Sequence, residues 1–441
     1  MHVLIIGAGR VGSATADLAI KSDCDVTVVD TSEEKIKRLS NVLDINGIIG
    51  DGTSSELISK INPKTVDILV VTTRDDITNI AATAVANTTL DIKKRLIRLK
   101  NREFYKNEAL VKLLHIDRVI DIDKAVANRI IDLMKIAPAT NVLEFFDEKA
   151  VVVGIRVKNN NPYAMKTVEE IDNEDFSVPL LYHLGNYEIT TPKSKIVPGD
   201  IAFIAASVEK IDKILRDMAE DIKQIGVVSI IGGGRKGRYI ARYCIDNGID
   251  VKIIDNNHDI CNELSLEFPS AVVMFGSGSD MQLLKTEDIF SSDLLITTTK
   301  DDEMNILLSV LAKRMGVRKC ITVTATEEYS YIAEQLGLGS IVDPKLSSSA
   351  AILDLIIDRK ATSISVLKGS KIGIIEEPVK SSSPVINQLI EDIKFPSLCR
   401  IALLLRRDKI LIPKDKEILI EGDRLVIFAR FGDLKKISKL F

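Results

Sequence analysis

The sequence predicts an α/β protein with two doubly wound parallel-sheet domains, each followed by a smaller α+β domain. Three observations carry this prediction. Short Val/Ile/Leu runs alternate with helical patterns, a glycine-rich turn follows the first run, and the same order of features returns about 225 residues later in a chain of 441 residues. Such alternation is typical of a parallel sheet that helices cover on both faces.

The first copy begins with the apolar run VLII, which leads into the turn GAGRVG. The pattern after this turn has the spacing of an amphipathic helix, with apolar residues at Val11, Ala14, Leu18 and Ala19. The run VTVV ends at Asp30, and Ser32 is expected to cap the next helix. Further strands are predicted at GIIG, DILVVTT, RLIRL and RVIDI. This order predicts a Rossmann-like domain.

Four landmarks show that the chain is duplicated. GAGRVG returns as GGGRKG, VTVVD as VKIID, GDGTSSELI as GSGSDMQLL, and VDILVVTTRDDITNI as SDLLITTTKDDEMNI. The first two pairs are offset by 225 residues and the last two by 226. A repeat in constant order predicts two domains of the same fold.

A shorter tail follows each copy, and the two tails also correspond. ITTPKSKIVPGDIAFIAA resembles ILIPKDKEILIEGDRLVIFA, and each tail combines strand patterns with little helix. The predicted domains are therefore Rossmann-like domains at 1–137 and 225–362 and small α+β domains at 138–224 and 363–441.

Composition excludes several classes of protein. The chain has 59 basic and 63 acidic residues, without the basic excess of a protein that binds duplex DNA, so no nucleic-acid partner is expected. The N-terminus lacks a signal-peptide pattern, and apolar runs are far shorter than the roughly 20 residues that span a bilayer. Five scattered cysteines show no metal-ligand spacing and are expected to be buried in a reducing cytoplasm.

The glycine turn has the pattern of a dinucleotide-binding site. Gly7 would allow a tight turn, Gly9 the approach of backbone N–H groups to a pyrophosphate, and Gly12 close packing of helix on strand. Asp30 lies where a carboxylate accepts hydrogen bonds from ribose hydroxyls, and it would repel a 2′-phosphate. The pattern favours NAD(H) or an adenine nucleotide over NADP(H).

Other polar residues follow the ends of predicted strands. Thr72 and Thr73 could face the second half of a dinucleotide, whereas Asp75 and Asp76 are interpreted mainly as helix caps. Arg98, on the next strand, is either a phosphate or ribose ligand or a surface charge. Arg10 in the glycine turn is a similar phosphate candidate.

The second copy keeps only part of this pattern. Its candidate binding residues are Gly232, Gly234, Gly237 and Asp255. Ser277 stands in place of Asp51, and Thr324 aligns with Arg98. The second site is therefore expected to prefer another ligand, to bind weakly or to be mainly structural.

No set of residues predicts catalysis. The four histidines are scattered, and we find no proton donor or acceptor expected beside a nicotinamide and no spacing typical of metal ligands. We therefore predict no catalytic residues, no metal site and a nucleotide that is sensed rather than consumed.

The ordered motifs GAGRVG, VTVVD, GDGT, TTRDDITN and RLIRLKN resemble those of an RCK (regulator of potassium conductance, or KTN) N-terminal domain. The tails with PGD and EGD are similar to RCK C-terminal domains. The duplication over the whole chain resembles the regulatory subunits of Trk-type potassium uptake systems.

This resemblance implies a cytosolic ring of RCK domains, a homotetramer docked on the cytoplasmic face of the inner membrane under a potassium-transporting subunit of the TrkH kind. Family members bind NAD(H) and, in some cases, ATP or ADP. The binding residues carried over to the first copy are Gly7, Gly9, Arg10, Val11, Gly12, Asp30, Asp51, Thr72, Thr73 and Arg98. Two alternatives stay open: an NAD-dependent oxidoreductase with an unrecognised substrate site, and an RCK-type regulator of another ion channel.

Overall fold

The computed structural model describes residues 1–21, 24–61, 65–136, 139–183, 185–218, 225–338, 340–348, 352, 364–366 and 372–441. The boundaries predicted at 137, 224 and 362 lie outside these residues. The division into four domains therefore stays a prediction.

The first Rossmann-like domain is built on a six-stranded parallel sheet in the order β3-β2-β1-β4-β5-β6. Its strands are β1 His2–Ile6, β2 Asp25–Asp30, β3 Asn46–Ile49, β4 Thr65–Val71, β5 Asp91–Arg98 and β6 Arg118–Ile120. Its helices are α1 Arg10–Lys21, α2 Glu33–Ser40, α3 Ser55–Ser59, α4 Asp76–Thr89, α5 Arg102–Tyr105 and α6 Glu108–Leu113, and α7 Ile122–Lys135 follows β6.

Both faces of this sheet are buried, as the sequence predicts. Alternate residues of β1 belong to separate apolar cores, with Val3 and Ile5 in one and Leu4 and Ile6 in the other. Ser32 is the N-cap of α2, and its hydroxyl accepts a hydrogen bond from the backbone N–H of Lys35. The doubly wound fold is thus confirmed from core to cap.

The second Rossmann-like domain repeats this sheet in the order β14-β13-β12-β15-β16-β17. Its strands are β12 Val227–Ile231, β13 Asp250–Asp255, β14 Val272–Phe275, β15 Leu294–Thr297, β16 Lys319–Val323 and β17 Ser340–Val342. Its helices are α10 Arg235–Asp246, α11 His258–Glu267, α12 Met281–Thr286, α13 Asp302–Arg314 and α14 Glu327–Gln335.

The two small domains have antiparallel sheets with the same order of strands, β10-β9-β11-β8-β7 and β21-β20-β22-β19-β18. The first contains β7 Asn141–Phe145, β8 Ala150–Arg156, α8 Val168–Ile171, β9 Phe176–His183, β10 Asn186–Ile189, β11 Ile201–Ser207 and α9 Val208–Met218. The second contains β18 Ile364–Val366, β19 Ile372–Pro378, β20 Cys399–Arg406, β21 Lys409–Leu411, β22 Arg424–Arg430 and a last helix, α15, at Leu434–Ser438.

The chain divides into two compact units that do not follow its linear order. The first unit combines Met1–Ala125 with Pro344–Asp358, and the second combines Val126–Asp343 with Arg359–Phe441. Within the first unit, Ile352 belongs to the core of the first parallel sheet. Within the second unit, most of α7 packs in one core with the first small domain and the second parallel sheet. Most of α7, which follows the first Rossmann-like domain in sequence, thus belongs to the unit that contains the second one.

No helix among the described residues is both long and apolar enough to cross a membrane. Cys24, Cys244 and Cys261 are buried, as expected for small apolar residues, whereas Cys320 and Cys399 are only partly buried, so the expectation fails for these two. Burial raises the pKa of the Cys244 and Cys320 thiols to about 12, so both are poor nucleophiles at neutral pH.

Candidate functional site

The glycines of the first turn have different structural roles. Gly7 has a φ of +108°, a conformation that favours glycine. A Cβ atom at Gly12 would overlap the carbonyl oxygen of Gly7, so this glycine allows α1 to pack on β1. A Cβ at Gly9 would have no heavy atom within 4 Å. Gly7 and Gly12 therefore serve the fold, whereas Gly9 faces open space at the helix N-terminus, where anions are stabilised.

Asp30 places a carboxylate beside this turn. One of its oxygens accepts a hydrogen bond from the Ala8 backbone N–H at 2.7 Å, and the other accepts one from the Ser32 N–H at 2.8 Å. The Lys35 ammonium lies 3.3 Å from Oδ1. A carboxylate has about four lone-pair positions, and the partly exposed Lys35 ammonium lies within 3.4 Å of both oxygens, so a ribose hydroxyl would take the position that this lysine now occupies.

Arg10 and Val11 begin α1 in different surroundings. The Arg10 side chain is exposed, whereas Val11 is buried in the core of the sheet. The Val11 side chain is therefore committed to packing, and only its backbone N–H belongs to the helix N-terminus that would face a phosphate.

The ends of β4 and β5 are joined by a buried amide, Asn79. Its Oδ1 accepts hydrogen bonds from the backbone N–H and the hydroxyl of Thr73, at 3.0 and 2.6 Å. Its Nδ2 donates to the carbonyl of Arg98 at 2.8 Å, and Arg98 Nη1 donates to the Thr73 carbonyl at 3.1 Å. The Thr72 hydroxyl donates to the Gly7 carbonyl at 3.4 Å. Thr72, Thr73 and Arg98 are thus brought together with the glycine turn.

Sequence reasoning missed Asn79, although the repeat held a signal. TTRDDITNI and TTKDDEMNI have asparagine at the same position, and both Asn79 and Asn305 are fully buried. A buried side-chain amide needs partners for both its donors and its acceptor, so it fixes the backbone around it.

Three acidic residues near the site accept hydrogen bonds from other groups of the first domain. Asp51 accepts hydrogen bonds from the Thr53 N–H and hydroxyl, which lower the pKa of its carboxyl. Asp75 caps α4 through the Thr78 N–H, which confirms the interpretation of Asp75 as a helix cap. Asp76 instead accepts from the backbone N–H groups of Lys100 and Asn101, and thereby ties α4 to the loop after β5.

The second copy rebuilds the same framework. Gly232 has a φ of +110°, a Cβ at Gly237 would overlap the Gly232 carbonyl oxygen, and a Cβ at Gly234 would have no heavy atom within 4 Å. Asp255 accepts hydrogen bonds from the Gly233 N–H at 2.7 Å and the Asn257 N–H at 2.9 Å. Its backbone geometry can therefore receive a phosphate and a ribose as the first copy can.

The side chains around the second framework differ in charge. Asn305 donates to the carbonyl of Val323 at 2.9 Å, as Asn79 does to that of Arg98. The residue equivalent to Arg98 is therefore Val323, and its predicted alignment with Thr324 is wrong by one position. With an offset of 226, Thr297 corresponds to Val71 and should pair with residue 323, because Val71 pairs with Ile97. Thr297 instead pairs with Thr322, so the register of β16 is shifted by one residue.

At two further positions, a charged residue of the first copy is replaced by an uncharged one in the second. Ser277 replaces Asp51 and shares a hydrogen bond with Ser279. Ile260 receives the cap from Asn257 as Lys35 receives it from Ser32, so the cation beside the strand-ending aspartate is also replaced. The second site thus keeps the glycine turn and the carboxylate but has an uncharged residue in place of Lys35, Asp51 and Arg98.

Comparison with known proteins agrees with this architecture. The family model described as the TrkA-N domain matches residues 3–122 and 228–344, and the model described as the TrkA-C domain matches residues 374–441. The Trk system potassium uptake protein TrkA of Vibrio alginolyticus is 26% identical over 97% of this chain and 95% of its own length. TrkA homolog 2 of Methanosarcina mazei is 26% identical over the whole of both chains.

Solved structures share the fold over the same length. The RCK domain of GsuK superposes with a TM-score of 0.61 at 17% identity, and covers 100% of this chain and 94% of its own. The GsuK channel bound to NAD gives a TM-score of 0.60 at 17% identity, with 100% and 78% covered. At these identities the likeness concerns the fold alone.

Proposed function

The chain belongs to the family of proteins built from TrkA-N and TrkA-C domains, and on this premise we propose that it is a nucleotide-binding regulatory subunit of a potassium uptake system. The observation that carries the proposal is the first glycine turn, with open space at Gly9 beside the Asp30 carboxylate. The curated relatives named above are potassium uptake proteins, which supports the transport process.

The ligand proposed for the first site is NAD(H). Gly9 and the N-terminus of α1 would receive the pyrophosphate, and Asp30 the hydroxyls of the adenosine ribose. Thr72, Thr73 and Arg98 meet at the ends of β4 and β5, where the second half of a dinucleotide would lie. A GsuK structure described as bound to ADP supports ATP and ADP as further ligands to test.

The partner proposed is a membrane potassium-transporting subunit of the TrkH kind, with the chain acting as a homotetramer on the cytoplasmic face of the inner membrane. Regulation would work by linkage. A nucleotide shifts the equilibrium between two conformations only by the difference between its affinities for them, so tight binding alone switches nothing.

We propose a regulatory role rather than catalysis because the described contacts of the first site hold and orient its side chains. The carboxylate of Asp30 is occupied by backbone N–H groups and Lys35, and the amide of Asn79 orders Thr73. An oxidoreductase would change the nicotinamide absorbance in the presence of a substrate. Incubation of the protein with NADH and a panel of carbonyl compounds tests this alternative, and loss of absorbance would favour the enzyme.

Calorimetric titration with NADH, NAD, ATP and ADP tests the proposal. The variants are Asp30→Ala and Asp255→Ala, and the matched control is Asp44→Ala, which changes an exposed aspartate that no predicted site contains. Two binding events in the wild type, with one lost in each site variant, would show that both turns are sensors. One event that only Asp30→Ala removes would make the second copy a scaffold. The absence of binding to all four nucleotides would contradict the proposed function.

A further inference from the structure

The C-terminal end of α7 is held by a lysine from the second Rossmann-like domain. Lys319, the first residue of β16, donates through Nζ to the carbonyl oxygens of Leu133, Ile136 and Ala139, the last two at 3.1 Å. The Ser340 hydroxyl, on the neighbouring β17, also donates to the Ala139 carbonyl, at 3.2 Å. Both strands and this part of α7 belong to the second compact unit.

The chemistry of this contact is that of a helix C-cap supplied from elsewhere in the chain. The last carbonyls of a helix have no intrahelical donors and carry a partial negative charge. An ammonium group has three N–H donors, and Lys319 directs them to three carbonyls. The Leu133 carbonyl lies in the last turn of α7, whereas Ile136 and Ala139 follow the helix, and their carbonyls also accept from the Ala139 N–H and the Ser340 hydroxyl, respectively. Lys319 therefore joins the last turn of α7 to the residues that follow it.

Helix α7 is also attached to the first small domain. The Arg129 guanidinium donates to the Val142 carbonyl and, at 3.1 Å, to Asn141 Oδ1, both on β7. Lys135 forms an ion pair with Glu144 of β7 at 3.2 Å. Helix α7 therefore has polar contacts with the parallel sheet through Lys319 and with the antiparallel sheet through Arg129 and Lys135.

Strand β16 links this helix end to the second candidate site. Lys319 begins the five-residue strand, and Val323 ends it. The Val323 carbonyl accepts the hydrogen bond from Asn305, whose Oδ1 accepts hydrogen bonds from the Thr299 N–H and hydroxyl at the end of β15. A displacement of the Thr299 loop would therefore reach Lys319 through one continuous hydrogen-bonded strand.

From this geometry we propose that Lys319 is a positioning residue that couples occupancy of the second site to the first small domain, through the end of α7. The proposal rests on the proposed function, because it assigns a route to a nucleotide signal that the second Rossmann-like domain would receive.

Hydrogen–deuterium exchange of the full chain, with and without saturating ADP or NADH, tests this route. The test variant is Lys319→Met, which keeps the length of the side chain and removes its donors. Lys319→Arg should restore the contact, and Ser340→Ala removes a single hydrogen bond to the same helix end. Lys313→Met is the matched control, because Lys313 Nζ donates to one carbonyl, that of Gly337, in the same domain.

In the wild type we expect nucleotide to slow exchange in peptides of the second Rossmann-like domain and also in peptides of α7 and β7. Lys319→Met should keep the response of the second Rossmann-like domain, with a nucleotide Kd within about threefold of the wild type. It should lose at least half of the response of α7 and β7. Lys319→Arg and Lys313→Met should keep both, and Ser340→Ala should show a partial loss.

An equal α7 and β7 response in Lys319→Met and wild type would overturn the coupling role. So would a wild type whose second Rossmann-like domain responds while α7 does not, although the proposed nucleotide binding would then stand. No response in either Rossmann-like domain would contradict both proposals.

Discussion

Gly9 and Gly12 lie in the same glycine-rich motif, but substitution of Gly9 should weaken nucleotide binding, whereas substitution of Gly12 should destabilise the fold. Gly9→Ala places a methyl group where no heavy atom lies within 4 Å, so the fold should be unchanged while a phosphate would lose its place. Gly12→Ala drives a methyl group into the Gly7 carbonyl and should destabilise the domain by about 2 kcal/mol or more.

Thermal unfolding and calorimetry distinguish the two effects. We expect Gly9→Ala to melt within about 2 °C of the wild type and to bind nucleotide at least tenfold more weakly, a loss of about 1.4 kcal/mol. Gly234→Ala provides the parallel measurement in the second copy. A Gly9→Ala protein that binds NADH with wild-type affinity would show that the open space beside Gly9 is not the phosphate site.

Short sequence patterns predict residues whose structural role depends only on their neighbours in the sequence. The glycine turns, the strand-ending aspartates and the caps at Ser32 and Asp75 each follow from a few neighbouring letters. Asn79 was missed because a buried amide cannot be told from an ordinary polar helix residue until its partners on two strands are known. The equivalence of Arg98 with Val323 likewise depends on strand register, which no landmark in RLIRL fixes.

At the scale of elements, the end of α7 should show a pH-dependent stability. Burial, together with the charge of Arg129, lowers the pKa of Lys319 to about 7 from its ordinary 10.5. Charged groups at this helix end also include Asp132 and Lys135 of α7 and Glu144 of β7. Between pH 7 and 10.5 the unfolded chain binds more protons than the folded one, so the cost of burying this lysine falls and the fold becomes more stable as the pH rises.

Urea unfolding of wild type and Lys319→Met at pH 6 and pH 9 measures this effect. The free energy of unfolding of the wild type, minus that of Lys319→Met, should be larger at pH 9, because at pH 6 the wild type carries the full cost of burying a cation. Lys313→Met, at an exposed lysine, should show no such change. A difference that is larger at pH 6 would mean that the helix carbonyls stabilise the ammonium more than burial penalises it.

At the scale of the whole molecule, the two small domains should unfold together. Their sheets share one apolar core within the second compact unit, to which Phe145 and Phe203 contribute from the first and Ile374 and Phe428 from the second. Polar contacts reinforce it, since the buried Glu376 accepts from the Phe146 N–H at 2.9 Å and the partly buried Arg400 pairs with Asp172. The sequence predicts two separate tails, because local patterns do not specify which sheets share a core.

Phe428→Ala tests this shared core. Loss of this fully buried phenyl group should lower the free energy of unfolding by about 3–5 kcal/mol. Amide exchange should accelerate in β8 and β11 as well as in β19 and β22. Val272→Ala, at a half-exposed apolar residue on β14, is the control that should affect neither sheet. Acceleration confined to β19 and β22 would show that the two sheets are independently stable.

Regulation of a membrane partner makes a prediction that follows from linkage alone. If nucleotide changes the affinity of this chain for a potassium-transporting subunit by some factor, the subunit must change the affinity for nucleotide by the same factor. Titration of NADH and ADP into the chain alone and into the detergent-solubilised complex measures that factor, and a tenfold difference corresponds to about 1.4 kcal/mol of coupling. Asp30→Ala should remove the part of the coupling that arises at the first site. Equal nucleotide affinities with and without the subunit would mean that the nucleotide is bound but does not regulate, whatever the occupancy of either site.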